Sequence, residues 1–431
     1  MATVLNVQDF VREFGKVTPK AGPSHRPRSI EELGIRESLL EDLALKTLYL
    51  AGTVSVLELG RKLGLGYEVM EELVERLRAG KCCQVTGMTG NIPVICVSDT
   101  GRAKANELLA HNSYSGAAPV SFESYLEVVR KQSIQNLTID ADMVSKAFTH
   151  LVLDETLLER CGTALNSGSS ILLYGPAGTG KTTIAEIMSK VLASDPVWLP
   201  YAIEIDGEIV TIYDRAIHKQ APNHSSSDHD GRWIFCERPA VMVGGELTSE
   251  MLDMQFNPIT RFYVPPVQMK ANNGVLIIDD FGRQRIRPDE LMNRWIVPLE
   301  RRVDFLTFTG GKKIEVPFEM LVVFASNKEP SELLDPAFLR RLQTKIKVGA
   351  VTSEQFIEIF RRVAEGKKVS YDPDIPGALV EFVQDEMKQE LRSCYPRDIV
   401  NQVCWSAKYK GKEPYIDRES LRNAIEAYFT L

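Results

Sequence analysis

No stretch of this 431-residue sequence approaches the roughly 20 apolar residues a membrane helix needs, so no membrane span is expected. The opening residues, MATVLNVQDFVREFGK, carry acidic side chains and no apolar segment, so no secretory signal is expected. The seven cysteines, at 82, 83, 96, 161, 236, 394 and 404, contain no CxxC pair. A chain of this length folds without disulfide staples, so reduced thiols and a cytoplasmic location are expected. Basic charge is not in excess either. The formal net charge of -7 argues against nonspecific nucleic-acid binding over the whole surface. What remains, 44% hydrophobic and 25% charged, is a globular composition with room for roughly two to three domains.

Residues 1–30 are rich in Pro, Lys and Arg without periodicity and are expected to be a flexible tail. Residues 31–111 then carry a compact set of signals. Leu39, Leu40, Leu43, Leu45 and Leu48 suit a buried helix, and Ser55 caps a second helix that runs to Leu63. A third helix, 67–79, turns Val69, Met70, Leu73, Val74 and Leu77 inward. Two β-type runs, 83–86 and 92–97, and a helix 101–109 capped by Ser98 complete a winged helix-turn-helix pattern. The third helix presents Glu68, Glu71, Glu72 and Glu75 against Arg76 and Arg78. Carboxylates repel phosphate, so protein contact is favoured over DNA reading. Residues 112–123 (NSYSGAAPVSFE) read as a linker.

From Ile171 onward, β runs alternate with helices, the mark of a parallel α/β core; beyond about 350 the pattern is helical only. Within the core, Gly175-Pro176-Ala177-Gly178-Thr179-Gly180-Lys181-Thr182 matches GxxxxGK[ST] and is followed by Thr183. Its glycines let backbone N–H groups turn onto a β-phosphate. Lys181 would bridge β- and γ-phosphates, and the Thr182 hydroxyl would ligate Mg²⁺. The apolar strand 275–278 ends in Asp279 and Asp280. Asp279 is placed to support the Mg²⁺ and Asp280 to orient an attacking water. A third apolar strand, 321–326, ends at Asn327, an amide suited to the γ-phosphate or the water. Downstream, LDPAFLRR ends in Arg340 and Arg341.

Taken together, GPAGTGKT, LIIDD, Asn327 and LDPAFLRR resemble the AAA+ ATPases, over about residues 130–431. The resemblance implies Walker A, Walker B and sensor 1 elements and an arginine-finger segment, in which Arg341, nearer the following strand, is favoured over Arg340 as the finger. It also implies a sensor 2 helix starting at Tyr395-Pro396-Arg397-Asp398-Ile399, with Arg397 as its arginine. A hairpin is expected from 304–309 to 312–316 about Gly310-Gly311. It resembles the insertion before sensor 1 in MoxR-type, Lon-type and enhancer-binding-activator ATPases. The implied architecture is an N-terminal winged-helix unit, an α/β core over 124–350 and a helical lid over 351–431. A finger acting in trans implies a homo-oligomer, a hexamer by the resemblance.

Two departures stand out. Walker B ends in Asp-Asp where the family usually has Asp-Glu, which bears on hydrolysis more than on ATP binding. Asp279 also follows Lys181 by 98 positions, so extra chain is expected over 201–232, with a hairpin about Asp206-Gly207. The loop 218–230 holds His218, His224, His229, Asp228 and Asp230. It is expected to be an exposed polar loop rather than a metal site, for no metal-binding spacing is present. Phe262-Tyr263 stands where related ATPases carry pore-facing loops, with core packing equally expected. The expected function is ATP hydrolysis coupled to remodelling a protein partner. The alternatives are a DNA-acting ATPase and a slow nucleotide-gated assembly switch.

Overall fold

The computed structural model describes residues 23, 26–222 and 229–429. Most of the expected tail therefore lies outside the described residues. Its end does not hang free: Arg26 Nη2 donates to the Leu65 carbonyl at 3.1 Å and Ile30 is buried.

The N-terminal unit contains helices Glu37–Ala51, Val56–Leu63, Tyr67–Ala79 and Asp99–His111. Ser55 and Ser98 cap the second and last as expected, accepting from the backbone N–H of Glu58 and Gly101, although the last begins at Asp99 rather than Gly101. Strands Cys83–Thr89 and Ile92–Val97 form an antiparallel hairpin with a register shift between Val85 and Gly87. The first strand runs on to Thr89, beyond its expected end at Thr86.

The stretch 112–123 is not a loose linker. Tyr114, Ala118 and Val120 are buried, and Val120–Ser121 forms a strand parallel to Ala202–Ile205. Glycine and serine here permit tight packing rather than freedom. The expected hairpin Ala202–Ile205/Glu208–Thr211 belongs to the same five-stranded sheet, as does the short strand Tyr263–Val264. Ala202 and Ile209 of that hairpin enter the N-terminal core itself. Beside them, Arg232 forms a buried ion pair with Asp230 at 2.8 Å and reaches the carbonyls of Leu33 and Pro119. The extra chain thus binds the N-terminal unit to the core.

The core sheet has five parallel strands: β1 Ile171–Tyr174, β2 Ala240–Val243, β3 Val275–Ile278, β4 Leu321–Ser326 and β5 Thr344–Lys347. Their spatial order is β2-β3-β4-β1-β5. Alternate residues serve opposite faces. Ile171, Leu173, Ile277 and Val323 pack with Ile184 and Met188 of helix Lys181–Ala193. Leu172, Ile278, Val322 and Phe324 pack with Leu291 and Trp295 of helix Pro288–Arg301. The three central strands, β1, β3 and β4, are buried on both faces, which explains their unbroken apolar runs, whereas the edge strands β2 and β5 expose alternate residues. The hairpin Val303–Thr307/Lys313–Pro317 forms as expected.

The C-terminal helices are Ser353–Lys367, Ile375–Glu381, Cys394–Tyr409 and Arg418–Tyr428 around their own core. The first starts at a full capping box between Thr352 and Gln355. The second passes into a π-helical turn, Phe382–Glu386.

Candidate nucleotide site

Parallel strands deliver their following loops to one edge of the sheet, and the chemistry-bearing residues collect there. The loop after β1 winds into helix Lys181–Ala193 through Gly175, Gly178 and Gly180, all at positive φ. A Cβ on Gly175 would collide with the Val348 carbonyl, and one on Gly178 with the Cys394 sulfur. Glycine is required at both by backbone conformation and by space. Thr179 braces the loop by donating to the Pro176 carbonyl at 3.0 Å.

Lys181 is buried, and its Nζ donates to the carbonyls of Gly175 (3.0 Å) and Pro176 (2.7 Å). Burial lowers its pKa, and the nearby Arg392 charge adds to that, while Asp279 and Asp280 oppose it. An ammonium held among carbonyls with little water is well placed to exchange them for phosphate oxygens.

The Thr182 hydroxyl donates to Asp279, with oxygens at 2.9 and 3.1 Å. A hydroxyl and a carboxylate at this spacing are hard oxygen donors of the kind Mg²⁺ takes, with water and phosphate completing its shell. These two residues would hold the ion. Elsewhere among the described residues, no group of three or more His, Cys, Asp and Glu could hold a metal.

Asp280 is exposed and takes a left-handed backbone conformation, φ 49°. Its carboxylate accepts from Asn327 Nδ2 at 2.7 Å. The turn is fixed from behind: Ser326 Oγ donates to the Phe281 carbonyl at 2.7 Å, and Gln284 Nε2 to the Asp279 carbonyl at 2.7 Å. Sequence reasoning misses Ser326 and Gln284 because an isolated Ser or Gln beside a motif carries no distinctive signal.

The arginines separate. Arg341 Nε donates to Glu300 at 2.7 Å and its Nη1 to the Ala337 carbonyl, whereas Arg340 beside it is exposed. Arg397 is exposed and pairs with its neighbour Asp398 at 3.0 Å. The C-terminal unit instead meets the phosphate loop through the residues just before it. Ser393 Oγ and the Cys394 N–H both donate to the Gly178 carbonyl at 3.1 Å. Arg392 stands beside them, with a buried Nε that has no hydrogen-bond partner. It lies five positions ahead of the motif arginine, where the family pattern does not point.

Two further sequence expectations change. His218 is buried, accepting at Nδ1 from the Asp214 N–H and bonding the Lys270 carbonyl through Nε2, both at 2.9 Å. Asp230 is held by Arg232. At the described ends of the 218–230 loop His218, Ala221 and Asp230 are therefore packed in, Lys219, Gln220 and Pro222 are exposed as expected, and His229 lies against Trp198. His224 and Asp228 lie outside the described residues. Tyr263 is buried and meets the Phe308 ring at 4.6 Å, and Phe262 meets Tyr114 at 5.8 Å. Core packing, not a pore-facing loop, accounts for this pair.

A family model described as a domain of unknown function (DUF8689) matches residues 352–427, the C-terminal helical unit. No curated protein matches the chain. Among solved structures, the RuvB Holliday junction branch migration motor of Thermotoga maritima is 14% identical. The match covers 64% of this chain and 69% of that one, with a TM-score of 0.36. NtrX from Brucella abortus, solved in complex with ATP, is 16% identical over 77% of this chain and 67% of its own, with a TM-score of 0.38.

Proposed function

We propose that this chain is an AAA+ ATPase that hydrolyses ATP with Mg²⁺, acts as a homo-oligomer, and couples turnover to remodelling a protein partner. The observation that carries the reading is the pairing of Thr182 with Asp279 and of Asn327 with Asp280 on one edge of a parallel sheet. A phosphate loop alone binds nucleotide. The added carboxylate and amide supply a metal-side group and a water-side group, which hydrolysis needs and simple binding does not.

In this reading residues 31–111 form a winged-helix unit, 124–350 the ATPase core and 351–431 the lid. Arg340 is the better candidate for a finger acting on a neighbour's γ-phosphate, because Arg341 is already engaged by Glu300. The hexamer comes from the family resemblance. A protein partner is favoured because Glu68, Glu71 and Glu75 are exposed on helix Tyr67–Ala79. One observation favours the slow-switch alternative: Asp280 is short, and one of its oxygens is occupied by Asn327.

Subunit mixing tests the shared site. Arg340→Ala and Lys181→Ala subunits, each inactive alone, should regain ATPase activity when mixed, since some interfaces then hold an intact loop and an intact finger. Arginine fingers contribute roughly 10³ to 10⁵ in rate, so the recovered signal is large against either parent. No recovery, with a monomeric mass in every nucleotide state, contradicts the oligomeric reading. Sequence-selective duplex DNA binding by the full chain, lost on altering helix Tyr67–Ala79, would favour the DNA-acting alternative instead.

A further inference from the structure

The face of helix Cys394–Tyr409 turned away from the lid core carries two large aromatic rings in water. Trp405 is 60% exposed and Tyr409 91% exposed. Four residues apart, they lie on one side of the helix, roughly 6 Å apart along its axis. Apolar packing does not explain them, since the same helix buries Tyr395, Ile399, Val400 and Val403 on its other side.

Basic charge predominates around the rings. Lys408, Lys410 and Lys412 are all exposed within five residues. The backbone turns back at Gly411, φ 65°, and the Lys412 N–H closes onto the Ala407 carbonyl at 2.9 Å. That closure keeps Lys412 beside the last helical turn rather than trailing away. Two carboxylates border the patch: Glu413, which is exposed, and Asp372, which accepts from the Tyr415 hydroxyl. The cluster stays basic on a chain whose formal net charge is -7.

We propose that Trp405 and Tyr409, with Lys408, Lys410 and Lys412, form a binding site for single-stranded nucleic acid on the lid. Successive bases stack on the two rings, and the lysines take the phosphates between and beyond them. Every base has a π face, so the site accepts strands with little regard to sequence. Duplex hides those faces and engages only the lysines. An acidic protein segment would also meet the lysines, but it would need an aromatic ring of its own for each of these two, whereas every nucleotide carries both a phosphate and a base. The site is separate from the phosphate loop and from the acidic helix of the N-terminal unit.

Tryptophan fluorescence of the full chain reports on the site directly, because the other three tryptophans, Trp198, Trp233 and Trp295, are buried. Titration with oligo(dT) or oligo(U) about 20 nucleotides long, enough to span such a site, should give saturable quenching that weakens as salt rises. Trp405→Ala should abolish the quenching. Tyr409→Ala should weaken binding by about fivefold or more, as loss of one stacking ring does. Each Lys→Glu change at 408, 410 or 412 should also flatten the salt dependence, by about 0.7 in log–log slope for each phosphate no longer neutralised. A duplex of equal length should bind more weakly than the single strand. The proposal is overturned if neither oligonucleotide quenches, or if binding survives these changes. It is equally overturned if only anionic vesicles quench, or if the face instead drives self-association that Tyr409→Ala abolishes.

Discussion

The side-chain amide of Asn327 donates to the Asp280 carboxylate across 2.7 Å, joining the ends of two adjacent strands, β4 and β3. This bond holds one carboxylate oxygen and leaves the other for water. Asn327→Ala should leave nucleotide affinity within about twofold and lower turnover by roughly 10² or more, the range of a misplaced general base. Nucleotide titration and steady-state phosphate release on the same preparation separate the two effects. An unchanged rate would mean that Asn327 serves only packing.

The Thr182–Asp279 contact makes a different prediction. Asp279→Asn should weaken binding of ATP in the presence of Mg²⁺ far more than in EDTA, because the carboxylate paired with Thr182 would face the metal. Calorimetry with and without Mg²⁺ reads the difference. Equal losses in both conditions would place Asp279 in the fold rather than at the metal.

At the lid, the arrangement ranks two arginines. Arg392 stands against the phosphate loop, and Arg397 pairs with Asp398 at the surface. Arg392→Ala should lower ATP affinity by about tenfold, the cost of one charge-assisted hydrogen bond or more. Arg397→Ala should cost less than Arg392→Ala in the same assay. The reverse order would restore the motif arginine to the nucleotide.

Much of this was legible in the sequence, and the exceptions have physical causes. Helix 67–79 and the Ala202–Thr211 hairpin follow from apolar spacing and a Gly turn, which are local signals. Thr182, Asp279 and Asn327 were legible because each follows a recognisable strand or loop, and parallel strands bring such ends together. Residues 112–123 misled, since glycine and serine serve close packing as well as freedom. His218 misled because a polar ring can be buried once both nitrogens are bonded. Arg392 was invisible because its place depends on how the lid rests on Gly178, through a hydrogen bond from Ser393 far along the chain.

Lys46 offers a test of the N-terminal unit. It is buried, donates to the Asn112 carbonyl at 2.9 Å, and burial lowers its pKa to about 8 despite Asp42 nearby. The folded value lies below the unfolded one, so the unfolded chain holds the proton more readily. Stability should therefore rise with pH from about 8 toward the ordinary lysine value near 10.4. Lys46→Met should raise the stability of this unit near neutral pH and remove that slope. Denaturant melts across this pH window check both, and a slope retained in the Met variant would assign it to another group.

The central claim is that the Asp280 carboxylate drives multiple-turnover hydrolysis of ATP held by the Lys181 loop. The most direct measurement is steady-state phosphate release from Mg·ATP by the full chain and its Asp280→Asn variant, at matched nucleotide occupancy. The account predicts sustained release by the natural chain and a loss of about 10² or more in the variant, with ATP still bound. Equal rates in the two proteins, or release that stops after a single turnover in the natural chain, would contradict it.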